Sequence, residues 1–171
     1  MSKKTMKSLK TIASFLNRVF IFIAALALVL MMLLGFGNVL FRTFWKPIKG
    51  TYELIGYLGS VTTALALGYA QIRKNHISVD IITSHYSKRW KKIFHGISYL
   101  STAIFFGLAS WQTALWGNVV WRTGERSETL RIIFFPFVYI VALGFAFLTF
   151  ILLIDFISLF EKDPPTTMEN L

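Results

Sequence analysis

Apolar residues gather in four windows that contain no Asp, Glu, Lys or Arg: 19–41 (23 residues), 54–72 (19), 93–121 (29) and 132–154 (23). An α-helix rises 1.5 Å per residue, so a hydrocarbon core of roughly 30 Å takes about 20 helical residues to cross. Each window reaches that length. The pattern predicts an all-α membrane protein, a single membrane domain over residues 1–171 with four transmembrane helices at 19–41, 54–72, 93–121 and 132–154.

The polar stretches carry a second pattern. Met6, Leu9, Ile12, Ala13 and Leu16 recur at helical intervals among Lys3, Lys7 and Lys10, which predicts an amphipathic arm over 1–18 lying on the membrane surface. Ile77, Ile81, Ile82, Tyr86, Trp90 and Ile93 repeat that spacing along the basic connection 73–92 and its edge, predicting a short interfacial helix rather than a solvated loop. The segment 155–171, with Pro164-Pro165, reads as a disordered tail. Within the second window Gly56, Ser60, Ala64 and Gly68 recur every four residues, a small-residue stripe on which another helix backbone can approach closely. That stripe serves either packing inside the subunit or a seam with a partner.

Charge orients the chain. Twelve cations lie before the first window, between the second and third, and in the tail; six (Arg42, Lys46, Lys49, Arg122, Arg126, Arg131) lie on the opposite side. The positive-inside rule then places both termini and the 73–92 connection on the cytoplasmic side of the membrane. Trp45 and Trp121 fall at the outer boundary and Trp90 at the inner one, where indole rings anchor helices. The first apolar run is longer than the core of a signal peptide and lacks a small-x-small cleavage site, so the first helix is expected to be retained.

Composition narrows the function. Charged residues make up 15% of the chain, against roughly 25% in soluble proteins, and the net charge of +10 sits wholly outside the windows, suiting membrane lipids rather than nucleic acid. Zero cysteines exclude disulfides and thiolate-held metal or iron–sulfur centres. Ion-coupled carriers usually hold an ionisable group within the membrane, and here the windows contain none except His95, near the cytoplasmic end of its window. His76, His85 and His95 all belong to one side, so they cannot pair across the membrane as haem ligands. No Ser-His-Asp set at one depth, no P-loop and no metal-ligand spacing is present. The chain reads as a non-enzyme without catalytic, cofactor or metal residues, poorly equipped to transport alone.

Tyr52-Glu53-Leu54 and the later Gly68-Tyr-Ala-Gln-Ile-Arg-Lys-Asn-His76-Ile77-Ser78-Val79-Asp80 resemble the small membrane subunit of tripartite ATP-independent periplasmic (TRAP) transporters, the DctQ-like family. Ser127-Glu128-Thr129-Leu130 ahead of the aromatic Pro136-Phe137-Val138-Tyr139 and Gly144 extends the likeness, as do four helices with cytoplasmic ends. Many relatives carry Ile-Pro soon after that Leu, whereas this sequence has Ile132-Ile133 and its proline at Pro136. The resemblance implies a complex with a large permease subunit that moves substrate and sodium by an elevator-like motion, fed by a periplasmic substrate-binding protein. The substrate would be an organic acid, and the small subunit would enlarge the static scaffold.

For the matched residues the resemblance implies partner or structural roles. Glu53 meets the positive end of the second helix dipole, as a cap or as a contact with the large subunit. Asp80 caps free amides or pairs with Arg73 or Lys74, and His76 fixes the turn or meets a lipid phosphate. Arg122, Arg126 and Arg131 on the outer side suit either an acidic patch of the binding protein or lipid headgroups. Two other readings share the helix count: a membrane-anchor subunit of a redox enzyme, and a self-sufficient small homo-oligomeric transporter.

Overall fold

The computed structural model describes residues 3–73 and 88–159. They form four helices: α1 (Lys3–Phe44), α2 (Thr51–Ile72), α3 (Lys88–Thr123) and α4 (Phe135–Ser158). Among the described residues the sole β pairing is an isolated antiparallel bridge between Arg126 and Ile133. Three helices are long and apolar enough to cross a membrane: α1 over Thr11–Phe44, α3 over Lys92–Thr123 and α4 over Phe135–Ser158. α2 falls short because Gly56, Tyr57, Ser60, Thr62, Thr63 and Gly68 dilute its leucines and alanines.

The expected amphipathic arm and first span form one continuous 42-residue helix, about 63 Å long. No Gly or Pro interrupts the chain before Gly35, so nothing in the sequence bends the arm away. Leu9 and Ala13 pack against Ile72, Phe150 and Ile154, which ties the arm to the ends of α2 and α4. The cations at 88–92 likewise belong to the first turns of α3, and the remainder of the expected interfacial helix, 74–87, lies outside the described residues, as does the tail from 160.

Turn chemistry sets the junctions. Asn38 Oδ1 accepts the Ile48 N–H at 2.9 Å, and the Thr51 hydroxyl donates to the Ile48 carbonyl at 2.8 Å, closing the α1–α2 loop. Gly50, with φ 75°, caps α2 in a left-handed conformation. α3 stops at Gly124 (φ 65°), and the Glu125 N–H reaches back to the Val120 carbonyl at 3.3 Å. Pro136 sits in the first turn of α4, where its missing N–H leaves no gap in the helix ladder.

α1 packs on α2, α2 on α4 and α4 on α3, so α2 and α4 are the inner helices. Ala24 meets Val61 and Leu65, and Ala103 meets Leu148 and Leu152. α2 and α4 run parallel and cross most tightly at Gly144, where a Cβ would lie 2.7 Å from the Ala64 carbonyl oxygen. One turn on, a Cβ at Gly68 would meet the Phe147 ring at 2.7 Å. α1 and α3, by contrast, expose bulky apolar side chains such as Phe22, Leu33, Phe36, Phe105, Leu108 and Trp111. Hydrocarbon or other apolar helices can cover such faces; water cannot do so without cost.

Candidate functional site

The sequence motifs around Glu53 and Ser127, 74 positions apart, meet at one end of the helices. Glu53 is the third residue after the Gly50 cap, a position from which a carboxylate commonly reaches its own helix N-terminus. Here it turns instead to the loop joining α3 and α4. One oxygen accepts the Thr129 N–H at 2.6 Å and the other the Leu130 N–H at 3.2 Å. The Ser127 and Thr129 side chains add further hydrogen bonds. Donation by the Thr129 amide, joined by these groups and opposed by partial desolvation, holds the Glu53 carboxyl below its ordinary value, so it is a carboxylate at neutral pH.

The loop closes on itself behind this grip. Ser127, itself buried, donates its N–H to the Ile132 carbonyl at 3.0 Å, and its hydroxyl oxygen accepts the Ile132 N–H at 3.3 Å. The Arg131 N–H returns to the Ser127 carbonyl at 3.1 Å. Arg131 is held at φ 54°, a left-handed conformation that costs a residue with a Cβ roughly 1–2 kcal/mol. The Leu130 side chain fills the space over Gly50: a Cβ there would collide with Leu130 Cγ. One turn below Glu53, Tyr57 stacks between Phe134 (centroids 5.7 Å) and Phe137 (5.2 Å). A carboxylate, a glycine and an aromatic stack thus clasp the α3–α4 loop onto the start of α2.

The clasp joins two basic loops into one exposed end. Arg42, in the last turn of α1, and Lys46 and Lys49 stand beside or on one loop, and Arg122, Glu125, Arg126, Glu128 and Arg131 on or beside the other, all exposed. The geometry can bind and hold. Among the described residues no group of three His, Asp or Glu side chains is placed to hold a metal ion.

The small-residue stripe divides. Ala64 and Gly68 are buried at the crossing with α4, so that half is internal packing. Gly56 and Ser60 are exposed; a Cβ at Gly56 would meet nothing within 4 Å, and the Ser60 hydroxyl donates to the Gly56 carbonyl of its own helix at 2.8 Å. His76 and Asp80 lie outside the described residues.

Sequence reasoning passed over a polar pair at the opposite end. Gln71, 4% exposed, donates from Nε2 to Asp155 Oδ2 at 2.9 Å, linking the last turns of α2 and α4. A search for charge-free windows stops one residue before Asp155, although this is the one carboxylate in α4 and that alone could have marked it. The Glu53 clasp had a legible half as well: both motifs were visible, but nothing local to either says that one grips the other.

Comparison with family models matches residues 31–162 to Tripartite ATP-independent periplasmic transporters, DctQ component. Comparisons with curated proteins and with solved structures give no significant match. The matched region holds Glu53, the whole 127–131 loop, and all of α2, α3 and α4. With most of the chain covered and both halves of the clasp inside the match, the protein belongs to the DctQ family, the small membrane component of TRAP transporters.

Proposed function

We propose that this chain is the small scaffold subunit of a TRAP-type secondary transporter of the bacterial inner membrane, its four helices crossing the bilayer with both termini in the cytoplasm. Its large partner permease carries an organic acid by an elevator-type motion driven by a sodium gradient, and a periplasmic substrate-binding protein delivers the substrate. The observation that carries the reading is the DctQ match over 31–162. The helices agree with a static role: between 19 and 72 the described side chains hold four charged groups, all at the loop between the first two windows, and none lies within a window where a coupling ion would bind. α2 crosses the membrane in this reading because α1 and α4 flank it and cover its weaker apolar surface. His76 and Asp80 would order the cytoplasmic connection.

The exposed half of the stripe, Gly56 and Ser60, is assigned to a seam with the large subunit, where small side chains let helix backbones approach. Affinity purification from native membranes in mild detergent tests the proposal: a large polytopic permease should co-purify. Proteoliposomes holding this chain alone should take up no substrate, and adding the permease and loaded binding protein should start sodium-dependent uptake. Sodium-driven uptake by this chain alone, or a Soret band in its absorption spectrum, would refute the assignment.

A further inference from the structure

α3 carries a stripe that the subunit's own packing leaves open, and we infer that a second copy of this chain covers it, α3 against α3, with the two Gln112 amides hydrogen-bonded to each other. The stripe is Ser101, Phe105, Leu108, Gln112, Leu115 and Val119, spaced alternately four and three residues apart. That is the repeat by which two helices meet along a seam. All six are exposed, on the side of α3 turned away from α4. The α4 side is set by Ala103, buried with Leu148 and Leu152, and by the Ser110 hydroxyl, which donates to the Ala142 carbonyl at 2.8 Å.

Gln112 specifies what the stripe meets. It belongs to a helix long and apolar enough to cross a membrane, and about 13 Å of that helix separates it from Trp121 at the outer boundary. It therefore lies near the middle of a hydrocarbon core of roughly 30 Å. Neighbouring polar groups are satisfied inside the subunit: the Thr113 hydroxyl donates to the Ala109 carbonyl at 2.7 Å, and Asn118 Oδ1 accepts the Tyr139 hydroxyl at 2.8 Å. The exposed Gln112 amide has no hydrogen-bond partner among the described residues. Lipid tails offer none, and the side chain is too short to reach either headgroup layer, so the amide requires a polar group at the same depth on another helix.

A second copy supplies that group by symmetry. Two copies inserted with one topology meet about a two-fold axis along the membrane normal, so α3 runs parallel to its counterpart and each stripe residue finds its own equivalent at equal depth. An amide is donor and acceptor at once, so two facing Gln112 side chains can each give one N–H and accept one. A single polar residue among apolar ones on such a seam also fixes register, because any slip leaves both amides unpaired.

The test uses the complete complex in membranes. The chain has no cysteine, so single cysteines can be introduced one at a time, alongside a large subunit freed of its own. Oxidation should join two copies through Leu108→Cys, Gln112→Cys or Leu115→Cys, and not through Ala103→Cys or Ser110→Cys on the α4 side. Energy transfer between labelled copies in liposomes gives the second readout: Gln112→Leu should weaken self-association about threefold to thirtyfold, and Gln112→Asn, which keeps the amide, should weaken it less. The thermal midpoint of the Gln112→Leu subunit should not fall, since the side chain is exposed within one copy. Absence of the stripe cross-links, or equal cross-linking from Ser110→Cys, overturns the inference, as does self-association unchanged by Gln112→Leu. A photo-reactive residue at Leu108 that captures the large subunit instead overturns it too and assigns the stripe to the seam between unlike subunits. The inference needs α3 to cross the membrane and nothing of the transport reading, so a complex that transports normally without these cross-links fails it alone.

Discussion

Two glycines on the same protein should respond in opposite ways to a single added methyl group. At Gly144 a Cβ would stand 2.7 Å from the Ala64 carbonyl oxygen, 2.8 Å from its carbon and 3.0 Å from the Ala64 Cβ. Non-bonded heavy atoms settle at about 3.5–4.0 Å, so α2 and α4 would have to part by roughly 1 Å, and the obstacle is helix backbone, which cannot rotate aside as a side chain can. Overpacking of this kind costs about 1–3 kcal/mol, a five- to 150-fold loss in the folding constant at about 1.4 kcal/mol per tenfold. Gly56→Ala adds the same methyl where nothing lies within 4 Å, and Ala is the better helix former by about 0.8–1.0 kcal/mol. Thermal unfolding of the purified subunit in mild detergent should show Gly144→Ala lowering the midpoint by several degrees and Gly56→Ala leaving it unchanged or raised. Capture of the large subunit provides the second readout: Gly56→Ala, silent in the isolated chain, should weaken it if the exposed half of the stripe is the seam. A Gly144→Ala subunit as stable as wild type would refute the crossing inferred between α2 and α4.

The clasp and the polar pair make three further predictions. Glu53 is held below its ordinary value in the folded loop, so its contribution is fully present above the ordinary carboxylate value of 4.5 and disappears as pH falls through the depressed one; hydrogen-exchange protection of the Thr129 and Leu130 amides should follow that course, and in Glu53→Ala should be low at every pH. Gly50→Ala meets both a left-handed backbone and the Leu130 side chain, so a thermal melt should register a loss of more than about 1 kcal/mol, and Leu130→Ala should recover only the steric part. Asp155→Ala takes the acceptor from a Gln71 amide that is 4% exposed, for a loss of about 1–3 kcal/mol by the same melt, while Gln71→Leu in that background should restore part of it.

The sequence alone determined that this is an all-helical membrane protein with four long helices, because charge-free windows of about the bilayer's thickness or more leave a chain few other ways to satisfy its backbone. It also determined which residues carried the family signature. Local pattern could not decide whether the lysine-rich start forms a separate arm: Lys3–Phe44 is one helix because Leu9 and Ala13 find Ile72, Phe150 and Ile154 beside them, contacts more than 50 residues away. Nor could a period of four say which small residues were packing. Ala64 and Gly68 are buried and Gly56 and Ser60 open because α4 leans on only part of α2. Glu53 shows the same division most clearly. Its place in the first turn of α2 was legible, and a cap was the natural local expectation. Its real partners are two amides of a loop that tertiary packing alone delivers, since hydrogen bonds join whatever the fold brings within 3 Å, however far apart in the chain.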